Sequence, residues 1–176
     1  NHKIMSTSSG KEIVMQDNDF IVSKTDPKGN ITYCNRIFMQ IAGYSEAELL
    51  GEPHNIIRHP DMPRAVFRLL WHTLQQGNEF FGLVKNRACN GDFYWTYANV
   101  TPSYDNNNKL LGYYSVRRKP ARSSIETISE IYQRMSEQEA RHSNSKEAMD
   151  ASISILLETV KISGKKYNEF IIELEK

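Results

Sequence analysis

Two cysteines in 176 residues are too few for a disulfide framework. Cys34 and Cys89 belong to no C-x-x-C or C-x-x-C-H pattern, which argues against structural zinc and covalently attached c-type haem and makes a reduced, cytosolic setting the default. Long hydrophobic runs are missing as well. No stretch approaches the roughly 20 apolar residues needed to cross a bilayer, and no signal peptide is visible. Charge of one sign is also lacking. The first 120 residues carry 14 Lys+Arg against 11 Asp+Glu, and the remainder 8 against 10, for a net +1. That excludes the basic bias of a nucleic-acid binder. There is no Gly-rich phosphate loop and no nucleophile–base constellation, so the chain is not expected to be an enzyme.

What is present is concentrated between His54 and Gly77, HNIIRHPDMPRAVFRLLWHTLQQG. His54, Arg58, His59, Asp61 and Arg64 crowd a short polar run stiffened by Pro60 and Pro63. Pro63 suits a first helical turn, where a missing N–H costs nothing, and Asp61 is placed to cap that helix. Val66, Phe67, Leu70, Trp71 and Leu74 follow at helical spacing, so one face is buried. Two readings stay open: a pocket wall, or a capped helix behind a charged loop.

The rest of the chain frames this stretch. Residues 1–17 read as a loose arm or short helix. Phe20–Ser23 and Ile31–Cys34 flank a Pro-Lys-Gly-Asn turn and form a hairpin. Asn35 opens a short helix ended by Gly43, and Ser45-Glu46-Ala47-Glu48 is a capping box that opens another. After Gly77, strands are expected over residues 80–86, 93–103 and 110–118, joined by turns at 89–92 and 105–109. This order predicts an α+β fold with one antiparallel sheet and helices on one face, and a ligand cleft between them.

Residues 121–176 change character. Ser123-Ser124-Ile125-Glu126 reads as a capping box, Asn144 restarts a helix and Gly164 interrupts it. Three narrow apolar stripes result, each in need of a partner surface: a coiled coil, a dimer interface or the domain itself. The segment Gly-Lys-Lys-Tyr-Asn-Glu-Phe reads as the end of a folded unit, which favours a small whole protein over a receptor fragment.

Several segments stand together in a known order: Tyr33-Cys34-Asn35, Ile41-Ala42-Gly43-Tyr44, Glu48-Leu49-Leu50-Gly51, residues 53–63 (PHNIIRHPDMP), Trp71, residues 82–87 (GLVKNR) and residues 90–95 (NGDFYW). Over residues 19–119 they resemble the PAS domain of bacterial aerotaxis and energy-taxis receptors of the Aer type. The resemblance implies a PAS fold with a five-stranded antiparallel sheet, and FAD held non-covalently as a redox sensor. It divides the chain into an arm (1–18), a PAS sensor domain (19–120) and a helical signalling or dimerisation extension (121–176).

Carried over by motif, the flavin site comprises Trp71 to stack on the ring, Asn86 for its hydrogen-bonding edge, and the cluster Arg58, His59 and Asp61. His54 and Asn99 join them, together with Phe80, which departs from the Trp frequent in the family. Partners implied are a chemotaxis receptor or signalling domain and a second copy of the chain, in the cytoplasm. Two alternatives stand beside FAD. One is a haem-binding gas sensor, which needs an axial histidine facing the cleft, whereas His72 lies about 100° round the helix from Trp71, off the main apolar face, and His59 lies in the loop. The other is an interaction module with an empty cleft. A light-driven thiol adduct is not expected, because Cys34 precedes the short helix in which a reactive cysteine would have to lie.

Overall fold

Alternation in three long strands decides which side chains meet. The structure, a computed structural model, describes residues 10–176. The first half of the expected N-terminal arm therefore lies outside the described residues. β1 (Phe20–Thr25) and β2 (Ile31–Cys34) form the first hairpin, and β3 (Phe80–Arg87), β4 (Phe93–Tyr104) and β5 (Leu110–Arg118) complete one antiparallel sheet in the order β2-β1-β5-β4-β3. α1 (Arg36–Ala42), α2 (Glu46–Leu49), a 3-10 turn (His54–Ile57) and α3 (Arg64–Gln75) lie between β2 and β3. Asn35 caps α1 and Ser45 forms its capping box with Glu48, as the sequence predicts.

The C-terminal segment folds into α4 (Arg122–Ala140), α5 (Ser145–Ile162) and α6 (Tyr167–Leu174). Their apolar stripes turn inward. Ile128, Met135, Leu156 and Ile171 are fully buried and share one core with Val66, Leu74, Leu83 and Trp95. Of the surfaces open to these helices, they use the domain itself, so these stripes no longer call for a second copy. The predicted capping box at Ser123 does not form. α4 starts after Ala121, whose N–H donates to the Glu175 carboxylate at 3.0 Å, and Ser124 Oγ donates to Leu174 O at 2.7 Å.

This packing answers an edge-strand problem. β3 is the last strand of the sheet, and its outward backbone groups need partners. Tyr132 Oη donates to Leu83 O at 2.7 Å and Phe81 N–H donates to Asn168 Oδ1 at 3.2 Å. Lys85 N–H reaches Met62 Sδ at 3.3 Å, and Arg58 forms an antiparallel bridge with Asn86. The first half of the edge is closed by the C-terminal helices and the second by the His54–Pro63 stretch.

Candidate functional site

One sheet face and α3 enclose a cavity of about 310 Å³. Alternation places Val84 and Asn86 of β3, Ala98 and Val100 of β4, and Tyr113, Ser115 and Arg117 of β5 along its floor. Phe67, Leu70, Trp71 and Leu74 of α3 form the opposite wall, at the i, i+3, i+4, i+7 spacing of one helix face. The indole of Trp71 meets Tyr113 edge-on at 5.2 Å. Gly29 closes the mouth. Its φ of 90° is the left-handed turn, and a Cβ there would come within 3.2 Å of the Trp71 ring. His54 is set by its N–H donating to Gly29 O at 3.0 Å.

The polar groups are unusual in what they lack. Arg117 is buried, yet burial and the nearby Tyr94 are the influences on its charge, and no carboxylate is among them. Burial pushes its pKa down to about 10, so it stays charged at neutral pH. It donates to His54 Nε2 at 3.1 Å and to Ser23 Oγ at 3.0 Å, and lies 4.8 Å over the Phe38 ring. A guanidinium can only donate, so Nε2 of His54 must accept, and the neutral ring carries its proton on Nδ1. Burial, then the charge of Arg117, holds the His54 pKa down at about 3. Arg58 stacks its guanidinium 3.7 Å over Phe67, and burial lowers its pKa.

Six buried side-chain polar atoms have no hydrogen-bond partner among the described residues, and four of them belong to residues lining this cavity: Thr25 Oγ1, Arg58 Nε, Asn86 Nδ2 and Arg117 Nε. Leaving such groups unpaired costs about 1–3 kcal/mol each, so four of them on the walls of one cavity favour a polar ligand there. Three are donors only. They suit a planar ring with apolar faces and acceptor atoms on its edge, and a flavin is such a ring. At about 310 Å³ the cavity sits at the lower end of the roughly 300–1,000 Å³ of small-molecule sites. Of its polar lining residues, Lys28 and Asn55 are exposed.

Four of the eight residues expected from the sequence line the cavity: Trp71, Asn86, Arg58 and His54. The other four do not. His59 is buried beside it, its Nδ1 accepting from Asp61 N–H at 3.0 Å and its ring edge-on to Phe93. Burial, then the charge of Lys85, lowers its pKa. Asp61 is 65% exposed and pairs with Lys85 at 2.8 Å. Asn99 falls between the inward Ala98 and Val100, so it points away and donates to Glu79 Oε1 at 2.8 Å. Phe80 shares the inward parity of Val84 and Asn86, but its ring stacks on Tyr167 of α6 at 5.6 Å.

Nor does Asp61 cap α3. Pro63 stands at the N-cap with no side-chain bond, and Glu139 of α4 accepts from Arg64 N–H at 2.9 Å and Ala65 N–H at 3.2 Å instead. Arg117 is the main omission from the sequence reading. The signal was available in the alternation Tyr113-Ser115-Arg117, all on the floor of the cavity.

Comparison with known proteins agrees with this architecture. A family model described as PAS fold matches residues 31–117. The aerotaxis receptor of Escherichia coli (strain K12) is 42% identical over 118 residues, which is 67% of this chain and 23% of the receptor. The nitrogen fixation regulatory protein of Klebsiella pneumoniae is 32% identical over 97 residues, 55% of this chain and 20% of that protein. This chain thus spans less than a quarter of the length of these curated relatives. Among solved structures, the one reported as "Flavin Analogue Sheds Light on Light-Oxygen-Voltage Domain Mechanism" superposes with a TM-score of 0.56 at 19% identity, over 63% of this chain and 83% of that one. At that identity the likeness speaks for the fold alone.

Proposed function

The chain belongs to the PAS-fold family, as a signalling module of the aerotaxis-receptor type rather than an enzyme, and on that footing we propose that it senses redox state through a non-covalently held FAD and relays it to a chemotaxis signalling partner. The observation that supports the reading is the set of unpaired donors on residues lining a mostly apolar cavity, Asn86 Nδ2, Arg58 Nε and Arg117 Nε.

Bound there, the flavin supplies reversible electron transfer coupled to a change of charge and protonation at its ring. The protein's own groups provide the surroundings. Trp71 would hold an apolar face of the ring, and the Asn86 amide would donate to an acceptor atom of it. Arg117 and Arg58 place positive charge at the cavity with no internal carboxylate to cancel it. They therefore favour whichever state of the ligand is more negative, which biases the cavity toward reduction. Neutral His54 holds Arg117 without competing for that charge. The exposed Lys28 and Asn55 would hold the diphosphate.

A haem reading finds less support. Among the described residues His54 alone of the imidazoles lines the cavity, and its Nε2 is engaged by Arg117 and Ser23. His72 is exposed on α3. Neither cysteine lines the cavity either.

The visible spectrum of the purified full chain, before and after added FAD, tests the assignment. Two flavin bands, with acid releasing a compound of the mass of FAD, are expected. A colourless chain that gains no bands on reconstitution, or one with a Soret band, overturns it.

A further inference from the structure

α3 carries the wall of the cavity but does not cap itself. Its N-terminal N–H groups are held by one carboxylate 75 residues along the chain, Glu139, which is 7% exposed. Both oxygens are used: Oε1 accepts from Arg64 N–H, and Oε2 from Ala65 N–H at 3.2 Å and from Ser152 Oγ of α5 at 2.6 Å. Arg64 Nε adds an ion pair at 3.4 Å. A buried negative charge on a helix N-terminus is well placed against the dipole, and its bonds are charge-assisted. Arg68 of α3 also pairs with Asp150 of α5 at 2.9 Å, and Ser136 Oγ of α4 donates to Asp61 O at 3.2 Å. Two residues of the C-terminal helices besides Glu139, Asp150 and Ser136, thus hold the same end of α3 or its approach.

We propose that Glu139 is a positioning residue that couples the C-terminal helices to the cavity wall, so that where α4 and α5 sit sets where Phe67 and Trp71 stand in the cavity. Trp71 lies about two turns from Arg64 on one continuous helix, which moves as a unit. The coupling is reciprocal. A ligand that fixes α3 tightens the Glu139 contacts, and a partner that draws α4 or α5 away loosens the wall and releases the ligand. The ligand half of this statement rests on the flavin reading; the mechanical half does not.

Fluorotryptophan labelling of the full chain tests it, because the two tryptophans report on different things. Trp71 stands in the cavity wall, whereas Trp95 stacks on Tyr132 of α4 at 6.3 Å and reports on α4 docking. Glu139→Gln should shift or broaden the Trp71 fluorine resonance, leave Trp95 in place, and speed flavin release roughly tenfold, the effect of losing one charge-assisted bond. An unmoved Trp71, or both resonances broadening together as in general loosening, overturns the proposal. If Glu139→Gln fails to fold, Ser152→Ala removes one donor to the carboxylate. It should move Trp71 in the ligand-free chain, and no movement overturns the coupling. A wild type that binds no flavin refutes the flavin reading alone, and the ligand-free Trp71 comparison still decides this one.

Discussion

Arg117 donates to the Nε2 of His54 at 3.1 Å, a contact between a permanent cation and an imidazole that can remain in place only while the imidazole is neutral. The pairing explains how a buried arginine with no carboxylate partner is held in the floor of a cavity. It also makes the site sensitive to acid.

The pH dependence follows from the depressed His54 pKa. Its ordinary value is about 6.5 and the folded value is about 3. Between these limits the unfolded chain binds a proton that the native chain refuses, so stability is lost as pH falls from 6.5 and the loss levels off near 3. The slope approaches about 1.4 kcal/mol per pH unit. Urea unfolding between pH 6.5 and about 5.5, above the usual carboxylate range, should show this slope flattened in His54→Gln, whose amide oxygen can still accept from Arg117. His59, also lowered by burial, adds a slope of the same sign that the variant keeps. Equal slopes in wild type and variant would contradict the assignment.

Asn86→Ala should separate stability from binding. Asn86 is buried with its amide nitrogen unpaired, so truncation removes a desolvated donor. The ligand-free protein should be unchanged or up to about 1 kcal/mol more stable. Flavin occupancy should fall at the same time, because a donor to the ring is gone. Trp71→Ala should lower occupancy too, at a cost in stability. Calorimetry of ligand-free protein and flavin content per chain are the two readouts. Full occupancy in both variants would remove these residues from the site.

The third prediction concerns residues 122–176. They share a core with the sheet and cover the free edge of β3, so deletion should expose Leu83, Trp95 and the unpaired backbone of Phe81 and Leu83. The shortened chain should lose cooperative thermal unfolding, bind a hydrophobic dye and retain flavin poorly. A truncated chain that melts as sharply as the full one, with the same flavin content, would show the helices to be dispensable.

The course of the chain could be read from its sequence because its signals are local. Period-two runs mark β3 to β5, Asn35 and Ser45 mark helix starts, and Gly29 and Gly91 mark turns. Trp71 and Asn86 line the cavity, since helical spacing and strand parity fix where they face. The same parity excludes Asn99 and admits Arg117, and applying it strictly would have corrected both. Asp61 was a reasonable local cap for α3, but Lys85 draws it outward and Glu139 replaces it. A partner 75 residues away leaves no mark near Pro63. Likewise Ser123 and Glu126 have the capping-box spacing, yet Glu175 reaches Ala121 from the far end of the chain. Phe80 has the correct parity, and only the return of α6 takes its ring away from the cavity.

The central claim is that unpaired donors in this cavity take the ring of FAD. It is tested most directly by following the Asn86 side-chain amide and the Trp71 indole N–H by NMR during titration of the ligand-free full chain with FAD. The account predicts that both resonances shift together and saturate at one FAD per chain, while the exposed amide of Asn107 stays still. FAD that binds without moving Asn86 and Trp71, or that does not bind at all, would contradict it.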